Sequence, residues 1–194
     1  MNWNTGAQQF TDALASSHPT PGGGAAGAMA GAMGCALVMM AVQTTLKRKN
    51  TPAGHRTQLE KSLHRLEPLH AQLKDFIMQD AAAYEAYLTA TKLPQDNPSR
   101  PQAVQESLWQ AASVPAQTAQ ICTQVMNELA SVRPYISNII IADANSAQHL
   151  LTGAVACCVE NIRANATYIT DATRQAQLQQ WINMFSKGTL YEPN

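Results

Sequence analysis

The residues best suited to chemistry appear as polar interruptions of apolar helical stripes. After Pro52, Leu59, Leu63, Leu66, Leu69, Leu73 and Ile77 recur at spacings of three and four residues, and the stripe continues to Asp80 and then Tyr84. A carboxylate on an apolar face is costly unless it is paired, hydrogen-bonded or protonated. Desolvation would raise its pKa, which suits proton transfer near neutral pH; the plainer alternative is a structural Asp bonded to a neighbouring helix. Asp75 falls elsewhere on the same helix and reads as solvated. A second set, Asp143, Ala147, Leu150, Ala154, Cys158, Asn161 and Asn165, shares one helical face. Three polar residues there are too many for a simple core. They could bond one another, a symmetry mate or a polar heterocycle, while Arg163 points roughly the opposite way.

Pro21-Gly22-Gly23-Gly24 breaks the chain and opens a helix in which Gly23, Gly27 and Gly31 recur every fourth residue, with Gly34 following. Each interior glycine costs about 1 kcal/mol relative to alanine. A stripe without side chains lets another backbone approach closely, and a bare helix start offers free N–H groups to a ligand. Lys47-Arg48-Lys49 ends that helix, either as cations opposing the helix dipole or as a landing site for carboxylates of an acidic ligand. From Gly22 to Leu46 no residue is charged, a length that could cross a bilayer. The stretch is mostly Ala, Gly and Met, whose first two contribute little transfer free energy, so a buried central helix is expected instead of a membrane span.

The elements that must position these residues are all helical. Helices are expected over 5–16, 25–48, 53–91, 102–132, 137–169 and 171–187, with Pro68 and Pro115 as places to kink. Ile139-Ile140-Ile141 would suit a strand but has no partner strand. The expectation is an all-α bundle of long antiparallel helices, with 194 residues forming a single domain, 1–194. Thirteen basic residues balance thirteen acidic ones, which leaves no broad field for nucleic acid or an anionic membrane. Cys35, Cys122, Cys157 and Cys158 form no C-x-x-C pair and read as small buried thiols in a reducing cytoplasm. No basic leader precedes an apolar run, so no secretory signal is expected. The histidines show no metal-binding spacing, and phosphate-loop, dinucleotide and nucleophile-elbow motifs are absent, so no metal site is expected.

At these residues the chain resembles the formimidoyltetrahydrofolate cyclodeaminase and methenyltetrahydrofolate cyclohydrolase family over nearly its full length. The matching pieces are Pro19-Thr20-Pro21-Gly22-Gly23-Gly24 with its Ala/Gly helix, Arg48-Lys49, Asp80 through Tyr84, and Leu93-Pro94. They continue with Val114-Pro115, Ala142-Asp143, Asn161 through Asn165, and Ile169 through Asp171. The resemblance implies an all-α homodimer acting on a tetrahydrofolate derivative, with Asp80 as the catalytic carboxylate and no cofactor beyond the folate substrate. Gly22, Gly23, Gly24 and Tyr84 become candidate substrate contacts. Arg48 and Lys49 become candidates for the glutamyl carboxylates, and Asp143, Asn161 and Asn165 for pterin recognition or for orienting Asp80. The chain departs from the family pattern at Ala25, where serine is common, at Lys47, where glycine is usual, and along Ala142 to Ala147.

The activity implied is chemistry at the one-carbon bridge between N5 and N10. The reading leans to cyclodeaminase, which converts 5-formimino- to 5,10-methenyltetrahydrofolate and releases ammonia. The alternative is cyclohydrolase, which opens the methenyl bridge to 10-formyltetrahydrofolate; a third reading is an inactive helical folate-binding or scaffold protein. A separate formimidoyltransferase is a candidate partner for a chain of this kind.

Overall fold

The computed structural model describes residues 3–187 as six α-helices and two single turns of 3-10 helix, with no strand among the described residues. The helices are α1 (Trp3–Ala15), α2 (Gly23–Leu46), α3 (Ala53–Thr91), α4 (Arg100–Val132), α5 (Ile141–Ala166) and α6 (Ala172–Lys187). The bounds of α3 match the sequence expectation. Helix α2 starts two residues early because its glycines are part of the helix and not of the turn. Helix α5 starts later than expected, since Asn138–Ile140 forms a separate 3-10 turn, after another over Arg133–Tyr135 that includes Pro134. Both Pro68 and Pro115 lie inside unbroken helices.

Helices α2 to α5 run up and down as an antiparallel bundle. Gly24 lies beside Asp80 and Gly31 beside Leu73, so α2 and α3 run in opposite directions. Ser62 and Arg65 of α3 bond Glu128 of α4, and Asn165 of α5 bonds the Ala111 carbonyl of α4. Between them lies a continuous core that includes Val38, Leu59, Leu66, Leu73, Val125, Leu129, Leu151 and Ile162. Helix α6 closes the flank: Trp181 stacks on Trp109 with ring centroids 5.5 Å apart, and Arg174 pairs with Glu106 at 2.6 Å.

The glycine stripe of α2 makes this packing close. A Cβ on Gly27 would lie 3.3 Å from Cys158 Sγ and 3.4 Å from the Ala154 carbonyl, and one on Gly34 would lie 2.8 Å from Leu151 Cγ. Helix α2 is long and apolar enough to cross a membrane by length and composition, with a mean hydropathy of 1.9 over its strongest window. Its Gly, Ala and Val face is instead buried against α3, α4 and α5, so protein covers the apolar surface that a bilayer would otherwise cover.

The cysteines are free, and Cys35, Cys122 and Cys158 are buried as expected. Burial pushes the thiols of Cys35 and Cys122 up to about 12. Cys157 is exposed, which corrects the expectation for that residue. Adjacent helical positions point about 100° apart, so when Cys158 faces the core its neighbour turns outward.

Two glycines test the packing argument in opposite directions. Gly34→Ala should destabilise the protein by about 1–3 kcal/mol, because overpacking against Leu151 and the Ala147 carbonyl, 3.2 Å away, outweighs the gain in helix propensity. Gly153→Ala meets nothing within 4 Å inside α5 and should stabilise by about 1 kcal/mol. Urea melts of the two variants measure both.

Candidate functional site

The first turn of α2 lacks a side-chain cap, since the residue before it is Gly22. The Asp80 carboxylate of α3 supplies the acceptor instead: the Ala25 backbone N–H donates to Asp80 Oδ2 at 2.8 Å. The approach is so close that a Cβ on Gly24 would lie 2.0 Å from Asp80 Oδ1. Any residue other than glycine must push the carboxylate away. Burial raises the Asp80 pKa, and the bond from Ala25, which favours the charged form, only partly opposes that shift.

Asp80 lines a cavity of about 190 Å³ with Gly22, Gly23 and Tyr84 on the α2–α3 side and Asn161 and Asn165 from α5. Pro19, Thr20 and Ala111 complete the wall. Gly23 is also closely approached: a Cβ there would lie 3.0 Å from Asn161 Nδ2 and would shift that side chain. The two asparagines are held from behind. Asn161 Nδ2 donates to the Cys157 carbonyl at 2.8 Å, and Asn165 Nδ2 donates to the carbonyls of Asn161 at 2.9 Å and Ala111 at 3.2 Å. Tyr84 is at the rim, 36% exposed and 6.1 Å between ring centroids from Tyr87.

Six residues expected at the site, Gly22, Gly23, Asp80, Tyr84, Asn161 and Asn165, therefore meet around one cavity, with Gly24 directly behind the carboxylate. Three others do not join them within one chain. Arg48 and Lys49 follow the far end of α2, whose 24 residues span roughly 36 Å. Asp143 is in the first turn of α5, about 27 Å along the axis from Asn161. It shares a face with the asparagines without sharing their height. Ala111 joins the cavity wall, and its only mark in the sequence is Pro115, four residues further on.

The model of the formiminotransferase-cyclodeaminase family matches residues 6–184. The chain belongs to that family. It is 33% identical over 176 residues to the methenyltetrahydrofolate cyclohydrolase of Methylorubrum extorquens, covering 88% of this chain and 84% of the relative. It is 31% identical over 182 residues to the formimidoyltransferase-cyclodeaminase of Sus scrofa, covering 90% of this chain. The chain spans about a third of that longer relative, 33% of its length. Among solved structures, the formiminotetrahydrofolate cyclodeaminase of Thermotoga maritima superposes with a TM-score of 0.84 at 26% identity, covering 94% of this chain and 88% of that one. These family members are named as enzymes of folate one-carbon chemistry.

Gly24→Ala separates the close approach from ordinary packing. The added methyl should expel the Asp80 carboxylate from the Ala25 N–H and destabilise the fold by about 1–3 kcal/mol. Gly6→Ala, with nothing within 4 Å, should show no such loss in the same urea melt.

Proposed function

We propose that this chain acts at the carbon bridging N5 and N10 of tetrahydrofolate, with Asp80 as the proton shuttle. The observation that carries the reading is a desolvated carboxylate facing a small cavity and fixed by the Ala25 N–H. The reaction favoured is hydrolysis of 5,10-methenyltetrahydrofolate, because the cyclohydrolase relative matches along most of both chains. Water adds to the methenyl carbon while Asp80 accepts its proton. Asp80 then returns that proton to N5 as the C–N5 bond breaks, and the remaining hydroxyl proton leaves to solvent as the C=O forms, so the formyl group stays on N10 and one proton is released overall. Fixing the substrate against the glycine turn reduces the barrier through orientation.

A second reading, cyclodeaminase chemistry, draws support from the likeness to the Thermotoga structure. There N10 attacks the formimino carbon on N5, Asp80 takes the N10 proton, and the departing nitrogen receives it and leaves as ammonia. Absorbance assays with 5,10-methenyl- and 5-formiminotetrahydrofolate distinguish the two. Turnover of neither would sink both and favour an inactive folate-binding protein. Asp80→Asn should reduce kcat by at least about 100-fold, the scale of a positioned acid–base group. Full activity in that variant would remove Asp80 from the mechanism.

The pH dependence follows in sign from the raised pKa. Below its pKa, Asp80 is protonated and cannot accept the first proton; above it, it can. The acid limb of kcat/KM should therefore lie above the ordinary aspartate value of about 3.9. A rate profile with no limb above that range would contradict the assignment.

The roles of Arg48 and Lys49 fit a homodimer. A tetrahydrofolate substrate carries glutamyl carboxylates, yet no Lys or Arg lines the Asp80 cavity, and at 190 Å³ it is smaller than the usual ligand pocket of roughly 300–1,000 Å³. Ala26, Ala30, Met33, Leu37, Met40 and Thr44 form a half-buried to exposed stripe on α2 at alternating spacings of four and three. That spacing reads the same in both directions, so a second copy laid antiparallel on it places Arg48 opposite Gly22. In this reading the partner copy supplies the cations and the remaining wall. Mixing inactive Asp80→Asn protein with inactive Arg48→Glu/Lys49→Glu protein, after co-refolding, should then restore activity through one intact site per hybrid dimer. Failure to complement, with both variants still dimeric, would place each site within one chain. Asp143 has no role in this proposal, and the reduced thiols favour the cytoplasm as the compartment.

A further inference from the structure

Pro115 lies in the middle of α4 with unbroken helix on both sides. Proline has no N–H, so the carbonyl four residues earlier loses its helical donor, and the ring also crowds it. That carbonyl belongs to Ala111, which lines the Asp80 cavity. A buried carbonyl needs another donor, and Asn165 Nδ2 provides one at 3.2 Å. The other hydrogen of the same amide goes to the Asn161 carbonyl, at 2.9 Å. A side-chain amide has only two N–H groups. With both engaged, the Asn165 oxygen is the group left to meet a ligand.

We propose that Pro115 is a positioning residue that opens the Ala111 carbonyl, holds Asn165 with its Oδ1 available to the cavity, and so makes the cavity select a ligand edge rich in N–H donors. Asn161 adds a second acceptor: its Nδ2 is turned to the Cys157 carbonyl and its Oδ1 lies 3.5 Å from where a Cβ on Gly23 would stand in the cavity wall, which leaves Asp80 to the reacting bridge. The ligand edge that fits is that of an amino-pyrimidinone, where a ring N–H and an exocyclic amine stand side by side. Naming that ring rests on the folate reading above; the link from Pro115 through Ala111 to Asn165 does not.

Pro115→Ala returns a helical N–H to the Ala111 carbonyl and removes the need for Asn165. A proline with only a structural role and this positioning role predict different outcomes. The variant should melt at the same or a higher temperature than the parent, because an interior proline is replaced by a good helix former. At the same time KM for the folate substrate should rise about tenfold while kcat stays within about twofold, a change of about 1.4 kcal/mol in binding alone. A fall in melting temperature together with the rise in KM would mark a merely structural proline and overturn the proposal.

A second measurement does not depend on turnover. In 15N-labelled full-length protein, the Asn165 side-chain amide, identified by its loss in Asn165→Asp, should shift and exchange faster with solvent in Pro115→Ala. An unchanged amide would overturn the link even if both folates are turned over. A moved amide in a protein that turns over neither folate would leave the link standing and remove the proposed reaction. The donor-edge claim is read by titrating pterin against lumazine, which carries a carbonyl in place of the exocyclic amine. Pterin should bind about tenfold more tightly, with the preference reduced in Pro115→Ala; equal binding of the two to the parent protein would overturn it.

Discussion

A carboxylate oxygen occupies the space where the first turn of α2 would otherwise carry a side chain. Much of the site depends on that contact. Gly24 can be nothing but glycine because Asp80 Oδ1 lies where its Cβ would be. The helix start can dispense with a local cap because Asp80 Oδ2 takes the Ala25 N–H. The carboxylate in turn is held away from water, which raises its pKa, while one hydrogen bond and the positive end of the helix dipole make its charged form tolerable. The contact that starts the central helix therefore acts on the carboxylate's pKa in the opposite sense to its burial. Ala25 fits this arrangement, since the bond uses the backbone N–H and needs no side-chain hydroxyl.

The same economy governs the rest of α2. Its glycines give up helix propensity at Gly27, Gly31 and Gly34, and α3, α4 and α5 fill the space with Leu73, Cys122, Leu151 and Cys158. Sulfur suits such a gap because it is polarisable and carries no strong hydrogen-bonding demand. On the far side of the bundle, exposed ion pairs such as Arg65 with Glu128 tie helix to helix, but at the surface such pairs contribute modestly. Close packing along the glycine stripe, rather than charge, holds the site in register.

Much of this arrangement was legible in the sequence, and what was not has a definite geometric cause. The leucine stripe of α3 gave its bounds and pointed to Asp80, because an amphipathic period is strong over a long helix. Gly23 and Gly24 read as turn because glycine opposes helix continuation; the acceptor that lets the helix begin there, Asp80, lies 55 residues from the Ala25 N–H it holds, beyond any local signal. The face shared by Asp143, Asn161 and Asn165 was real as an angle around α5, but a helical period carries no information about distance along the axis. Asp143 was therefore grouped with residues from which more than four helical turns separate it. Pro115 was visible as a break in propensity, whereas the carbonyl it exposes becomes meaningful only once Asn165 is seen to reach it.

The separation of contacts along the chain also orders how the site can be assembled. Helices α2 and α3 are neighbours in sequence, so Asp80 can meet the start of α2 as soon as their hairpin closes, at modest loop-closure entropy. The asparagines that form the opposite wall lie on α5, and Gly23 meets Asn161 only after two further long helices have been made. During synthesis Asp80 and the start of α2 are both made before α5, whose asparagines form the facing wall. The last helix of the bundle core along the chain is the one that finishes the pocket, so a chain cut short before α5 would carry the carboxylate without the wall that faces it.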